Sequence, residues 1–192
     1  MRFPFRGDSA ARWALLASLP KGAVGVEVGV WKGKFSKGLL RATSPKVLHL
    51  IDPWLVSEES DRKDRALYGS AKITQEQMDD IFAGVMRRFR RQIDSGKVVV
   101  HRETSSTAMT AMAPGSVDYV YIDGDHSYEA VVEDLRQAFR ITRAGGMICC
   151  DDYLIKGWWT DGVVRAVNEF LAANPVAIHR KIRSQIMIRK LD

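Results

Sequence analysis

Residues 24–38 read Val-Gly-Val-Glu-Val-Gly-Val-Trp-Lys-Gly-Lys-Phe-Ser-Lys-Gly. The stretch opens as a short apolar run closed by one acid, Glu27. It breaks at Gly29, turns through Gly33, and resumes with helical spacing at Phe35, Leu39 and Leu40. A strand, a glycine turn and a helix in that order bring backbone N–H groups and a helix N-terminus to the end of a strand, where an anionic or polar ligand can sit. The spacing is Glu27-x-Gly29-x-x-x-Gly33, not Gly-x-Gly-x-x-Gly. The acid precedes the turn and can face a positive group of the ligand, and the looser turn leaves more room than a pyrophosphate clamp.

Working outward, Asp8 or Ser9 caps a short helix through Trp13, Leu16 and Leu19, stopped by Pro20. Val47–Ile51 is a second apolar strand, closed by Asp52-Pro53-Trp54. Residues 55–73 are polar and without a period; they read as a lid or substrate loop, or as an unstructured segment. Thr74 with Gln77 gives a helix-capping signal, followed by Met78, Ile81, Phe82, Val85, Phe89 and Ile93 at helical spacing, with Gly96 ending the element. Val98–Val100 and Val117–Ile122 are strands three and four. A helix over residues 127–142 presents Tyr128, Val131, Val132, Leu135, Ala138 and Phe139, ends at Gly145-Gly146, and leads into strand five, Met147–Cys150. Asp161 caps a last helix, and Val176–His179 and Gln185–Ile188 close the chain as an antiparallel pair. The alternation predicts one α/β domain over residues 1–192. It is a Rossmann-like, doubly wound, mostly parallel sheet of about seven strands, with an antiparallel C-terminal strand and helices on both faces.

A chain of 192 residues with 46% apolar and 27% charged residues has the size and balance of one globular domain. No apolar run approaches the ~20 residues of a membrane span, and residues 1–8 lack the apolar stretch of a signal peptide. Cys149 and Cys150 are adjacent in a strand, so they point to opposite faces and make no disulfide framework. A cytoplasmic protein is expected. The net charge of +6 invites a nucleic-acid reading. Much of it, however, sits in Arg87-Arg88-Phe89-Arg90-Arg91 near a helix C-terminus, where cations complement the helix dipole without a partner. A nucleic-acid partner is therefore disfavoured, and a homodimer is compatible with the chain.

In a parallel sheet, ligands bind beyond the C-terminal strand ends. Four of the five parallel strands end in acids: Glu27, Asp52, Asp123 with Asp125, and Asp151-Asp152. Aspartate is common in turns, but so many carboxylates on one rim raise one another's pKa values and call for a cation or a hydroxyl-rich ligand. Asp52, 25 residues after Glu27, suits an acid that accepts hydrogen bonds from both hydroxyls of a ribose. Asp123, Asp151 and Asp152 offer the hard oxygen donors that suit Mg²⁺. His126 follows the acid pair at the mouth of the same site.

Three blocks of the chain resemble the class I S-adenosylmethionine-dependent methyltransferases: Val26–Gly33; His49–Trp54; and Tyr121–Tyr128 followed by Gly145-Gly146 and Asp151-Asp152-Tyr153. The third block is similar to the small bacterial O-methyltransferases near the catechol and macrolide-sugar enzymes. The resemblance implies that Glu27, Gly29 and Gly33 hold the methionine end of the cofactor and that Asp52 holds its ribose. Ser105 contacts the adenine or caps a helix, and Asp123, besides facing the cofactor, joins Asp151 and Asp152 in binding the metal. His126 stands where catechol-type members carry a basic residue, with Asp125 as a competing ligand or base. The expected activity is methyl transfer to a hydroxyl of a small molecule, with Mg²⁺ orienting the acceptor and Trp54, Trp158 and Trp159 walling its pocket. Methylation of nitrogen or carbon without metal and a non-catalytic nucleotide- or RNA-binding module are the rivals. A nicotinamide oxidoreductase would need the Gly-x-Gly-x-x-Gly turn that residues 25–33 lack.

Overall fold

In a computed structural model describing residues 8–56, 73–155 and 160–192, the stretch quoted first folds as read. Val24–Val28 is strand β1 and Lys34–Thr43 is helix α2. The preceding helix α1 is Asp8–Leu16. Then follow β2 (Val47–Ile51), α3 (Gln75–Asp94), β3 (Val98–His101), α4 (Ser105–Thr110), β4 (Val117–Ile122), α5 (Tyr128–Ile141), β5 (Thr142–Cys150), α6 (Gly162–Ala173), β6 (Val176–Ile182) and β7 (Gln185–Lys190). The strands form one seven-stranded sheet in the order β3-β2-β1-β4-β5-β7-β6. Strands β1 to β5 pair in parallel, and β7 runs antiparallel to both β5 and β6. The order reverses between β1 and β4, which opens a crevice at their C-terminal ends.

The strands read as nearly unbroken apolar runs because both faces of the sheet are covered. Val26, Val120 and Ile148 pack with Met109 of α4, Leu135 of α5 and Val167 of α6. On the other face Leu48, Leu50, Tyr119 and Tyr121 pack with Leu15 and Leu16 of α1, Leu39 of α2 and Val85 and Phe89 of α3. Cys149 and Cys150 go to opposite cores, both as free thiols. Thr74 and Gln77 form a reciprocal capping box at the start of α3. None of the described helices is long and apolar enough to cross a membrane.

Several expectations are corrected. β5 starts at Thr142, directly after α5, so Gly145 and Gly146 lie inside the strand instead of ending the helix. The register shifts between Val117 and Tyr119, and a Cβ on Gly146 would lie 2.5 Å from Thr142 Cγ2 and 2.8 Å from the Asp118 carbonyl oxygen. These glycines serve an irregular strand pairing. Val132 is 39% exposed rather than core. Asp161 occupies the N-cap of α6 but makes no side-chain cap hydrogen bond. The lid or substrate-loop segment falls mostly on residues 57–72, which with Trp158 and Trp159 lie outside the described residues.

Gly29 is the position where the fold most needs a glycine. Its φ is +85°, and a Cβ there would lie 2.0 Å from the carbonyl oxygen of Asp123. Gly22, at φ +66°, faces open space. Gly22→Ala should therefore cost about 1 kcal/mol for left-handed backbone alone. Gly29→Ala should cost at least about 3 kcal/mol, because backbone must also move. Urea midpoints at unchanged slope measure both; equal losses would refute the close-approach argument.

Candidate active site

Register decides what reaches the rim. Val28 pairs with Ile51 and Ile122, Ile51 with His101, and Ile122 with Cys150. The next residue of each chain segment leaves the sheet at a common level while its N–H still bonds a neighbour. Gly29 donates to Ile51 (2.9 Å), Asp52 to His101 (3.2 Å), Asp123 to Val28 (2.9 Å) and Asp151 to Ile122 (3.0 Å). The acids are thus fixed by sheet hydrogen bonds. Above the rim lies a cavity of about 750 Å³ lined by Gly29–Lys32, Phe35, Asp52, Ser105, Asp123–His126, Asp134, Asp152 and Arg12. That volume lies within the range of pockets that bury a small organic ligand.

Asp52 is 3% exposed. One of its oxygens accepts from the backbone N–H of Trp31 and the other from that of Trp54, each at 2.8 Å. The buried Trp54 indole in turn donates to the Trp31 carbonyl at 2.9 Å. Asp52 is therefore both a turn residue and a cavity wall. Burial raises its pKa, and the N–H groups of Trp31, Trp54 and Val30 offset only part of that.

Glu27 does not join the cavity wall. It sits one residue inside the rim, 1% exposed, and its Oε2 has no hydrogen-bond partner among the described residues. Burial pushes its carboxyl up to about 8; the Ser36 hydroxyl and Arg12 oppose the shift, and the charges of Asp123 and Asp52 add to it. Gly29 lines the cavity, whereas Gly33 caps α2 at φ +66° with Phe89 against its Cα, outside the wall.

Ser105 lines the cavity as the first residue of α4; the cap of that helix is Thr104, which accepts from the Thr107 N–H. Near it is Asp134, a buried acid pushed up to about 7 by desolvation, a rise that Ser105 opposes and the charges of Asp125 and Glu133 increase. Asp134 is legible in the sequence as an acid on the apolar face of α5 between Val131 and Leu135.

Of the expected metal ligands, Asp123 and Asp152 line the cavity and Asp151 does not. Asp151 is 2% exposed. Its Oδ2 accepts from the Arg12 guanidinium and shares the Tyr121 hydroxyl proton (3.2 Å) with Gln185 Oε1 (2.9 Å). Its Oδ1 accepts from the Gln185 amide and from the backbone N–H of Asp152 (2.7 Å). With both oxygens filled, Asp151 is not placed as a ligand beside Asp123 and Asp152. His126 takes the third place: one ligand atom each from Asp123, His126 and Asp152 lie within 4.8 Å of one another. The Nε2 of His126 is 3.7 Å from Asp123 and 3.6 Å from Asp152. Two carboxylates and an imidazole are a poor match to Mg²⁺, which takes oxygen donors in near-octahedral array. Burial lowers the His126 pKa, but the hydrogen bond and charge of Asp123 and the charges of Asp152 and Asp151 outweigh it, for a net rise. Asp125 is spent locally, accepting from the Ser127 N–H at 2.7 Å where α5 begins.

Arg12 carried no sequence signal: it lies ahead of the first motif on a short helix. It nevertheless spans Asp123 (3.2 Å) and Asp151.

A family model described as "Methyltransferase domain" matches residues 26–153. An uncharacterized protein of Acanthamoeba polyphaga mimivirus is 37% identical over 59 residues, 31% of this chain and 26% of that protein, so the chain spans about a quarter of the length of this curated relative. Among solved structures, an rRNA methylase from Streptococcus thermophilus superposes with a TM-score of 0.61 at 11% identity over 100% of both chains. The N-methyltransferase NodS from Bradyrhizobium japonicum gives 0.61 at 13%, covering 96% of this chain and 97% of its own. The Burkholderia thailandensis 1,6-didemethyltoxoflavin-N1-methyltransferase with bound S-adenosylhomocysteine gives 0.61 at 14%, covering 95% and 77%. These likenesses carry the fold, and the match over residues 26–153 carries the family: the chain belongs to the methyltransferase-domain family and has the Rossmann-like fold of methyltransferases.

Proposed function

We propose that this chain transfers the methyl group of S-adenosylmethionine to a hydroxyl oxygen of a small molecule, with His126 as the proton acceptor. The observation that carries the reading is an imidazole in the cavity wall, held between Asp123 and Asp152 at 3.7 and 3.6 Å, on the rim that also carries Asp52. Asp52 would hold the ribose through the carboxylate it presents to the cavity. Gly29 would let the backbone approach the methionine end, whose ammonium would favour ionisation of Glu27 beneath it. Ser105 faces the adenine. When bound, the cofactor supplies a methyl group already activated on a sulfonium.

What remains for the protein is alignment and a proton sink. Alignment can contribute about 7–11 kcal/mol in favourable cases. As the acceptor oxygen gains its bond to the methyl carbon and the carbon–sulfur bond breaks to leave a neutral thioether, the hydroxyl proton would pass to His126, and Asp123 and Asp152 would stabilise the imidazolium. No step is assigned to magnesium, because the donor set does not suit it.

Asp52→Ala should weaken S-adenosylhomocysteine binding at least tenfold by calorimetry, since hydrogen bonding to a carboxylate acceptor is lost. His126→Ala should keep that affinity within about threefold yet lower transfer of labelled methyl to hydroxylated acceptors about 100-fold or more. Absence of cofactor binding by the wild type, or full transfer by His126→Ala, would refute the reading.

Glu27 gives a pH test. The native state keeps its proton up to about 8, whereas the unfolded chain releases it near 4.5. Between those values the native state binds more protons, so this group's contribution to stability falls as pH rises through the window. Glu27→Gln should flatten that fall and, without cofactor, melt higher than wild type at pH 8 while binding the cofactor more weakly. Parallel melting curves of the two proteins from pH 5 to pH 8 would refute the burial argument.

A further inference from the structure

We propose that Arg12 is the resident cation of the acidic rim: its guanidinium lies between the carboxylates at the ends of β4 and β5, in the place of a divalent ion, and methyl transfer by this chain runs without metal. The inference rests on the methyltransferase reading of the cavity. It begins from a mismatch, since the acids expected to hold magnesium are held by a side chain instead.

The Arg12 guanidinium is 3.2 Å from Asp123 Oδ2 and hydrogen-bonds Asp151 Oδ2. Beneath it lies the Phe35 ring, 5.7 Å from Arg12 Cζ to the ring centroid. Phe35 is packed on Tyr121 with centroids 4.2 Å apart, and the Tyr121 hydroxyl shares its proton between Asp151 and Gln185. The guanidinium is therefore shelved on an aromatic pair and bonded to two acids, while its side chain remains 34% exposed toward the cavity it lines. A planar, permanently charged fork suits such a bridge, and a lysine would present only a point charge. The helix that carries it is anchored by Leu15 and Leu16, which are 2% and 1% exposed.

Two consequences follow from chemistry alone. While Arg12 is in place, Asp151 has no oxygen to offer a metal and Asp123 shares one of its own, which leaves Asp123, His126 and Asp152, a set whose imidazole suits Mn²⁺ as poorly as Mg²⁺. If Arg12 is removed, two carboxylates on adjacent strand ends lose their cation, and a divalent ion becomes the simplest replacement. Arg12 is thus a positioning residue: it holds Asp123, which in turn holds His126.

The test is Mn²⁺ binding, read by calorimetry and by loss of the free-ion paramagnetic signal, on the full chain. Wild type is expected to show no stoichiometric site up to about 1 mM, and a chelator is expected to leave both S-adenosylhomocysteine binding and methyl transfer unchanged. Arg12→Met should gain one Mn²⁺ site at least tenfold tighter than any in wild type, and Arg12→Lys should not. A stoichiometric wild-type site, or chelator-sensitive transfer, overturns the proposal without any variant. A folded Arg12→Met protein that gains no site overturns it as well. Failure of wild type to bind S-adenosylhomocysteine would refute the methyltransferase reading separately, since the Mn²⁺ titration needs no cofactor.

Discussion

Negative charge concentrated at the edge of a low-dielectric sheet is the constraint around which this molecule is arranged. The parallel register delivers Asp52, Asp123 and Asp151 to one level, with Glu27 a residue deeper. Carboxylates so placed cannot all ionise unless something compensates them. The chain uses a different device for each. Asp52 takes the backbone N–H groups of its own turn and of the β1 turn. Asp151 takes Arg12, Tyr121, Gln185 and its neighbour's N–H. Asp123 shares Arg12 and faces His126. Glu27, left with an unpartnered oxygen, keeps its proton well above the usual carboxylate range. The unevenness has a functional sense: the acid least compensated by the protein is the one with most to gain from a bound cation.

The same register explains why the tryptophans divide as they do. Trp54 is fully buried and ties the β2 turn to the β1 turn through its indole, while Trp31 sits 37% exposed at the mouth with the Lys32 ammonium 4.6 Å above its ring. The first is scaffold for Asp52. The second faces whatever enters the cavity. Only position along the strand–turn unit distinguishes them, since both follow an apolar strand by a few residues.

The sheet was legible because its strands are apolar runs at regular intervals and each helix carries a period of 3.6. β4 was read at its observed bounds, and the α3 capping box was read from Thr74 and Gln77 alone. The errors came where local signals compete with tertiary context. Gly145-Gly146 is a textual helix stop, yet those glycines serve the shifted pairing of β5 with β4. Asp151 and Asp152 are identical neighbours in sequence, but both follow the end of β5, and the backbone turns through the left-handed region at Asp152 (φ +51°), so one carboxylate lies in the protein and the other lines the cavity. No rule of spacing tells which has been claimed by a partner more than a hundred residues away. Arg12 is illegible for that reason, whereas Asp134, a charge on an apolar helix face, is a readable anomaly.

The hydrogen bonds of Asp151 bear on where this protein can be divided. The matched methyltransferase segment covers residues 26–153 and includes Asp151, yet two of its donors, Arg12 and Gln185, belong to flanking elements on either side. The two ends of the chain are stapled to a single side chain in the middle. A fragment trimmed to the family boundaries would strand a buried charge with half its partners missing, so the flanks act as the keystones of an arch rather than as appendages to it.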